Sequence, residues 1–366
     1  MDNLHMKLVI TGGHHSSAIP VIKNIQKNYP EVELFWIGHR YSQKGNKADT
    51  LEYIEITKLG LSFYDLKAGK FYKTFDPIRL AKIPFGFFQA FLYLLKTKPD
   101  KILSFGGYLA VPVVLAGWVL KIPSVTHEQT AVAGYANKLI SKFAKKILIS
   151  WDQSRQYFPK EKVIYTGLPL RETIFEQRTD NFEINKDLPT VYITAGKTGS
   201  HIINTTVLES LEDLLNICNV IHQCGEHSEL KDFEKLDGKY KSLDVAGKYH
   251  LKKYVLEDEI GEAFGKATLV VSRAGAHIIN ELIALEKPCV LIPIPWVSHN
   301  EQHKNAEVLV NTGLGRILEE KSLTSEKFIN FIKNTLNDLD SLKIKDGQIK
   351  IEKNAAKKIV KEVFAL

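Results

Sequence analysis

Short apolar runs that close on glycine or a small polar residue recur along the whole chain, each followed by a stretch with apolar positions three and four apart. Such runs, bounded by turn formers, predict buried strands of a parallel sheet, and the helical spacing between them predicts the crossover helices of an α/β fold. In the first half the predicted strands are 7–10, 33–37, 101–104, 124–127, 146–150 and 162–165. In the second half they are 190–194, 220–223, 269–272 and 290–293, with a weaker candidate at 243–245. Each set suffices for one doubly wound sheet, so the fold class is α/β with two Rossmann-like domains.

The organisation that follows is a first domain over 1–166, a connection over 167–189, a second domain over 190–345 and a closing amphipathic helix within 346–366. The connection is rich in charge and turn formers and is bracketed by Pro169 and Pro189, so a hinge flanking a cleft is expected there. The closing helix is predicted from Ile351, Ala355, Ile359, Val363 and Phe364, which fall near helical spacing with lysines between them.

One segment departs from the alternation. From Ile83 to Leu95 the residues are apolar nearly all round, with Lys82, Lys96 and Lys98 flanking them and Phe71, Tyr72 and Lys73 just before. It is shorter than the roughly 18–20 apolar residues that span a bilayer. It is either a helix lying on an anionic membrane surface, with aromatics in the interface and lysines on lipid phosphates, or one packed between the sheet and its neighbours.

Bulk properties narrow the class. A chain of 366 residues, 44% hydrophobic and 25% charged, fits two soluble globular lobes. No signal peptide or transmembrane stretch is expected. The three cysteines, Cys218, Cys224 and Cys289, show no metal-ligand spacing, and their odd number argues against a disulfide framework and for a reducing compartment. The net charge of +7 is diffuse; it favours an anionic partner without choosing among nucleic acid, phosphorylated substrate and membrane.

Open α/β sheets bind ligands beyond the carboxyl ends of their strands, and four turns there carry candidate chemistry. In Thr11-Gly12-Gly13-His14, glycines admit a ligand to the backbone, and His14 is either a base or merely a helix cap. The second turn, Gly106-Gly107-Tyr108, is followed by His127-Glu128-Gln129-Thr130, whose polar groups either bond sugar hydroxyls or an acceptor, or brace their own loop as a satisfied pair. The third, Ala195-Gly196-Lys197-Thr198-Gly199-Ser200, opens the second domain with amides, a lysine and hydroxyls suited to a pyrophosphate. It lacks the spacing of a P-loop or of a full dinucleotide fingerprint, which weakens kinase and dehydrogenase readings. The fourth, Ser272-Arg273-Ala274-Gly275-Ala276-His277, has Glu281 in the next helix, either taking ribose hydroxyls or simply solvated.

Taken in order, these segments resemble the MurG-like enzymes of glycosyltransferase family 28. Thr11 to His14 is similar to the end of that family's G-G-T-G-G-H, Gly106-Gly107-Tyr108 to its G-G-Y, and His127-Glu128-Gln129 to its H-E-Q-N. Gly167-Leu168-Pro169-Leu170-Arg171 resembles G-N-P-V-R, Arg273 to Ala276 with Glu281 resembles R-[SA]-G-A and its glutamate, and Gln302 with Asn305-Ala306 resembles H-Q-x-x-N-A. The resemblance implies a GT-B fold whose N-terminal domain holds a lipid-linked acceptor and whose C-terminal domain holds UDP-N-acetylglucosamine. It implies inverting, metal-independent transfer of N-acetylglucosamine to undecaprenyl-pyrophosphoryl-MurNAc-pentapeptide in peptidoglycan synthesis, without cofactor or nucleic acid, at the cytoplasmic face of the plasma membrane.

On the same resemblance His14 and Glu281 form the catalytic set, with His14 as base or charge partner and Glu281 on the ribose. Arg171 goes to the donor's phosphate region and Gln302 to sugar hydroxyls. Thr11, Gly12, Gly13, Tyr108, His127, Glu128, Thr130, Gly196, Lys197, Thr198, Val255, Arg273, Gly275, Ala276 and His277 complete the substrate-binding set. The departures fall on contact positions: Val9 and Ile10 replace glycines, Thr130 an asparagine, and Lys197 a serine. They leave open a related transferase with another UDP-sugar or lipid acceptor, a non-catalytic nucleotide-sugar binder, and a UDP-sugar epimerase of the same fold.

Overall fold

The computed structural model describes residues 6–41, 49–68, 77–196, 199–226, 229–297, 300–344, 352 and 354–366, with backbone alone for residue 51 and residues 77–83. The chain forms two compact units, Met1–Leu170 with Glu352–Leu366, and Arg171–Ile351.

In the first unit seven parallel strands run in the order β3-β2-β1-β4-β5-β6-β7. They are β1 (Lys7–Thr11), β2 (Glu33–Gly38), β3 (Ser62–Asp65), β4 (Lys101–Ser104), β5 (Ser124–Glu128), β6 (Lys146–Ile149) and β7 (Val163–Tyr165). The helices are α1 (His15–Asn28), α2 (Leu51–Lys58), α3 (Pro77–Thr97), α4 (Ala110–Val119) and α5 (Tyr135–Ile140). Strand side chains alternate between two cores, as the pleat requires. Leu8, Ile10, Leu34 and Trp36 join α1 on one face, while Val9, Phe35 and Ile37 join α3 and α4 on the other. Burial on both faces explains why these strands read as continuous apolar runs.

The second unit has six parallel strands in the order β10-β9-β8-β11-β12-β13. They are β8 (Thr190–Thr194), β9 (Asn219–Gln223), β10 (Tyr249–Lys252), β11 (Leu269–Ser272), β12 (Cys289–Leu291) and β13 (Gly315–Ile317). Its helices are α6 (His201–Glu209), α7 (Leu211–Ile217), α8 (Asp232–Lys241), α9 (Ile260–Lys266), α10 (Ala276–Ala284), α11 (Glu301–Asn311) and α12 (Ser325–Asn337). The weak strand candidate at 243–245 is corrected: Leu243 and Val245 lie in a loop that packs on this core, and the strand is β10 instead. Among the described residues the three cysteines are buried and free.

The segment after Arg171 is held by its own unit. Buried Glu262 on α9 accepts hydrogen bonds from Thr179 Oγ1 (2.6 Å) and from the backbone N–H groups of Asn181 (2.9 Å) and Phe182 (2.8 Å). Burial alone would raise the Glu262 pKa, but these bonds and the Lys266 ammonium pull it down to about 2. The last helix, α13 (Ala355–Phe364), belongs to the first unit, where Ile359, Val360 and Val363 enter the α1 core. Lys101 and Lys146, which open β4 and β6, donate to the carbonyls of Phe364 (2.8 Å) and Glu362 (3.0 Å) at its C-terminus, where cations offset the helix dipole.

Candidate functional site

Each unit brings its own predicted residues to the carboxyl ends of its strands, and each is built differently.

In the first unit the turn after β1 and the turn after β4 pack backbone on backbone. Gly13 N donates to Gly106 O at 2.9 Å, and a Cβ on Gly12, whose φ is 142°, would lie 2.8 Å from the Phe105 carbonyl carbon. Glycine is therefore demanded at Gly12 by close approach and a positive φ. Thr11 is turned inward, donating to Ile37 O at 2.8 Å. His14 is the N-cap of α1 but makes no side-chain cap bond. Its Nδ1 instead lies 2.8 Å from Gln129 Nε2, and Gln129 Oε1 lies 2.8 Å from Ser17 Oγ. Burial, then the neighbouring His15, push the His14 pKa down to about 4, so the ring is neutral near pH 7. His15 is paired with Glu55 at 2.8 Å.

The residues after β5 are spent largely on one another. Glu128 Oε1 accepts from Thr130 N (3.0 Å) and Thr130 Oγ1 (2.8 Å), and Oε2 accepts from Asn137 Nδ2 (2.9 Å) and Gly134 N (3.3 Å). Burial raises the Glu128 pKa against the pull of these bonds. His127 is also buried, with Nε2 3.1 Å from Gly167 O, and burial holds its pKa down to about 4. His127 and Glu128 thus brace the loop through separate partners rather than as a pair. Tyr108 is half-buried nearby, its pKa raised by burial and by Glu52.

In the second unit the glycine turns sit at helix starts. Gly196, with φ 75°, leads toward α6, and its N–H donates to Thr194 Oγ1 at 3.3 Å. Lys197 and Thr198 lie outside the described residues. Ser200, the N-cap of α6, makes no cap bond; its hydroxyl accepts from Arg273 Nη2 at 2.6 Å. Arg273 is buried and also reaches Ile292 O (3.0 Å) and Glu320 (2.5 Å), so its guanidinium ties α6 to the sheet. Gly275 is the N-cap of α10, which begins at Ala276 and His277. Its φ of −70° suits any residue, and a Cβ there would meet nothing within 4 Å. The fold does not require glycine at this position, and Gly275 itself supplies no side-chain cap to the start of α10, an arrangement suited to an anion.

Arg171 donates twice to one oxygen of Glu281, from Nε at 3.0 Å and Nη2 at 2.6 Å, leaving Oε2 of that buried carboxylate with no partner among the described residues. Gln302 Oε1 accepts from Ile294 N at 3.0 Å, which fixes the amide and leaves its NH2 without a partner among the described residues. Val255 N donates to Gln223 Oε1 at 3.0 Å, while Gln223 Nε2 donates to Gly196 O at 2.9 Å. Gln223 thus joins the phosphate-type turn to the Val255 loop. Sequence reasoning passed over it, although a polar residue closing an apolar strand just before Gly225 was a usable signal.

The apolar segment is the helix α3, and its two sides differ. Gly86, Ala90, Leu94 and Thr97 are buried, whereas Phe85, Phe88, Leu92 and Leu95, three and four apart, are 54%, 60%, 48% and 47% exposed. Trp118 at the end of neighbouring α4 is exposed as well. No described helix is long and apolar enough to cross a membrane.

Comparison with known proteins shows the family. The glycosyltransferase family 28 N-terminal domain matches residues 9–149, and the family's C-terminal domain matches residues 190–363. A Bacillus cereus protein named UDP-N-acetylglucosamine--N-acetylmuramyl-(pentapeptide) pyrophosphoryl-undecaprenol N-acetylglucosamine transferase 2 is 32% identical over 339 residues, covering 89% of this chain and 90% of its own. The crystal structure of Acinetobacter baumannii MurG superposes with a TM-score of 0.72 at 22% identity, over 99% of this chain and 100% of that one. A UDP-GlcNAc 2-epimerase from Neisseria meningitidis bound to UDP-GlcNAc superposes with a TM-score of 0.64 at 17% identity, over 99% and 100% of the two chains. At these identities the two solved structures show a shared fold.

Proposed function

The chain belongs to glycosyltransferase family 28, and from that membership we propose that it transfers N-acetylglucosamine from UDP-N-acetylglucosamine to the undecaprenyl-pyrophosphoryl-MurNAc-pentapeptide of peptidoglycan synthesis. The observation that carries this reading is the relationship to the Bacillus cereus transferase, which runs through both halves of the chain. The two-unit GT-B architecture and the polar turns at the strand ends support it.

In this reading the first unit serves the acceptor and the second the donor. His14 takes the proton of the acceptor hydroxyl as its oxygen bonds to the anomeric carbon, the bond from that carbon to UDP breaks, and UDP leaves with the electron pair. A single displacement of this kind inverts the anomeric centre. A neutral His14 suits the base role. The backbone turn at Gly196, which leads toward α6, and the start of α10 at Gly275-Ala276-His277 stabilise the charge growing on the departing diphosphate. Lys197 and Thr198 would add to it. Glu281, oriented by Arg171, offers Oε2 to the ribose hydroxyls, and the Gln302 NH2 meets the sugar. Val255 shapes the donor side, and Tyr108 the acceptor side. Thr11, Arg273, Glu128, His127 and Thr130 act by holding these groups in place.

The exposed stripe of α3, with Lys96 and Lys98 at its end, docks on an anionic membrane surface, which puts the enzyme at the cytoplasmic face where its lipid-linked acceptor is reached. Nucleic acid has no place in this scheme. A donor screen with the lipid-linked acceptor tests the assignment: UDP-N-acetylglucosamine should give at least about tenfold higher kcat/KM than other UDP-sugars. Preference for another sugar would reassign the donor.

A further inference from the structure

Chemistry at His14 depends on which ring nitrogen carries its proton, and the groups that decide this surround the ring. The ring is held at Nδ1 by the Gln129 side-chain amide at 2.8 Å, and the other end of that amide is 2.8 Å from Ser17 Oγ. Gln129 is buried, and Nε2 of His14 has no partner among the described residues. A neutral imidazole bears a single N–H. In the structure the amide NH2 faces Nδ1 and Oε1 faces Ser17, an orientation in which Nδ1 is the lone pair, Nε2 carries the hydrogen, and the ring can only donate. With the amide oxygen facing Nδ1, the Nδ1–H is the donor and the Nε2 lone pair is free to take a proton. The two amide orientations have the same shape, and a serine hydroxyl can donate to one and accept from the other.

We propose that Gln129 is a positioning residue that sets the tautomer of His14: in the working enzyme Gln129 Oε1 accepts from His14 Nδ1–H, its NH2 donates to Ser17 Oγ, and Nε2 is left to accept the proton of the attacking hydroxyl. This rests on His14 being the base. A neutral amide does here what a carboxylate does beside other catalytic histidines, orienting the ring without fixing it as the cation. The charged and titratable neighbours are His15 with its partner Glu55, and His127. Glu55 is engaged by His15, so Gln129 is the group that holds the His14 ring directly.

The test is long-range 1H–15N correlation of the histidine rings in the full chain, assigned with His14→Ala, alongside steady-state kinetics of Gln129→Leu and Gln129→Glu. Wild type should show Nδ1 protonated and Nε2 bare. Gln129→Leu should lose that bias and drop kcat about 10–100-fold, with KM for UDP-N-acetylglucosamine within about twofold. Gln129→Glu, which can only accept, should restore the tautomer and much of kcat while moving the acid limb of the pH profile upward, since a carboxylate favours the imidazolium. A wild-type ring protonated at Nε2, or unchanged tautomer and kcat in Gln129→Leu, would overturn the inference. Full activity in His14→Ala would instead remove the base assignment itself, so the two failures are distinct.

Discussion

The loop after β5 and the turn before α10 look alike in sequence, each a short polar run closing an apolar strand, yet they are built in opposite ways. After β5 the side chains of Glu128, Thr130 and Asn137 satisfy one another and leave little over for a ligand. Before α10, Gly275 offers no side chain, its φ needs none of glycine's freedom, and among the described residues nothing lies within 4 Å of where a Cβ would be. A buried polar network that is fully bonded rigidifies its surroundings, whereas an uncapped helix start with open space in front presents its backbone to an anion. The first unit thus holds one ring, His14, in place, and the second presents the main chain itself.

The sharpest way to break this contrast is His14→Ala. It should lower kcat about 10²–10⁴-fold with little change in KM for the donor, because the base acts in the transition state. Its pH profile carries the same idea. With the His14 pKa pushed down to about 4, wild-type kcat should stay level as pH falls through the ordinary histidine range and decline only near 4. A decline centred near pH 6.5, the ordinary histidine value, would mean that the ring is not a desolvated base.

A pair of glycine substitutions separates presentation from packing. Gly275→Ala should raise KM for UDP-N-acetylglucosamine about 10–100-fold, the scale of a lost charge-assisted hydrogen bond, while the melting temperature moves little. Gly199→Ala should do the reverse: its φ is 70° and the new Cβ would sit 1.9 Å from Cys224 O, so the unit loses stability first. Equal melting temperatures for the two variants would erase the distinction.

The smallest effect lies away from both sites. Glu262→Gln should destabilise the second unit by about 1–3 kcal/mol at pH 7 by weakening a buried acceptor that serves several donors. The folded-state pKa of Glu262 is depressed, so its stabilisation is present above pH 4.5 and is lost as pH falls toward about 2. The gap between variant and wild type in thermal melts should close over that window.

The central strands and the glycine turns before α1, α4 and α10 were legible in the sequence because double-sided burial and glycines near helix starts leave local marks. The three strands that were not, β3, β10 and β13, all lie at sheet edges. Pairing on one side asks less of the sequence, and Ser62–Asp65, Tyr249–Lys252 and Gly315–Ile317 carry polar or charged residues accordingly. The roles of Gln129 and Gln223 were illegible for another reason. Their partners His14 and Gly196 lie 115 and 27 positions away, and nothing local marks an amide as a brace. Arg273 shows the converse: a charge in a glycine turn reads as a ligand contact, while its bonds to Ser200 and Glu320 are made within the protein.

The most direct test of direct sugar transfer is a paired measurement on the full chain with UDP-N-acetylglucosamine and the undecaprenyl-linked muropeptide. UDP released and N-acetylglucosamine incorporated into the lipid-linked product are counted together. Direct transfer requires that release depend on the acceptor and match incorporation one for one, as a single displacement demands. Donor binding without acceptor-dependent release, or interconversion of UDP-N-acetylglucosamine with an epimer in place of transfer, would contradict it.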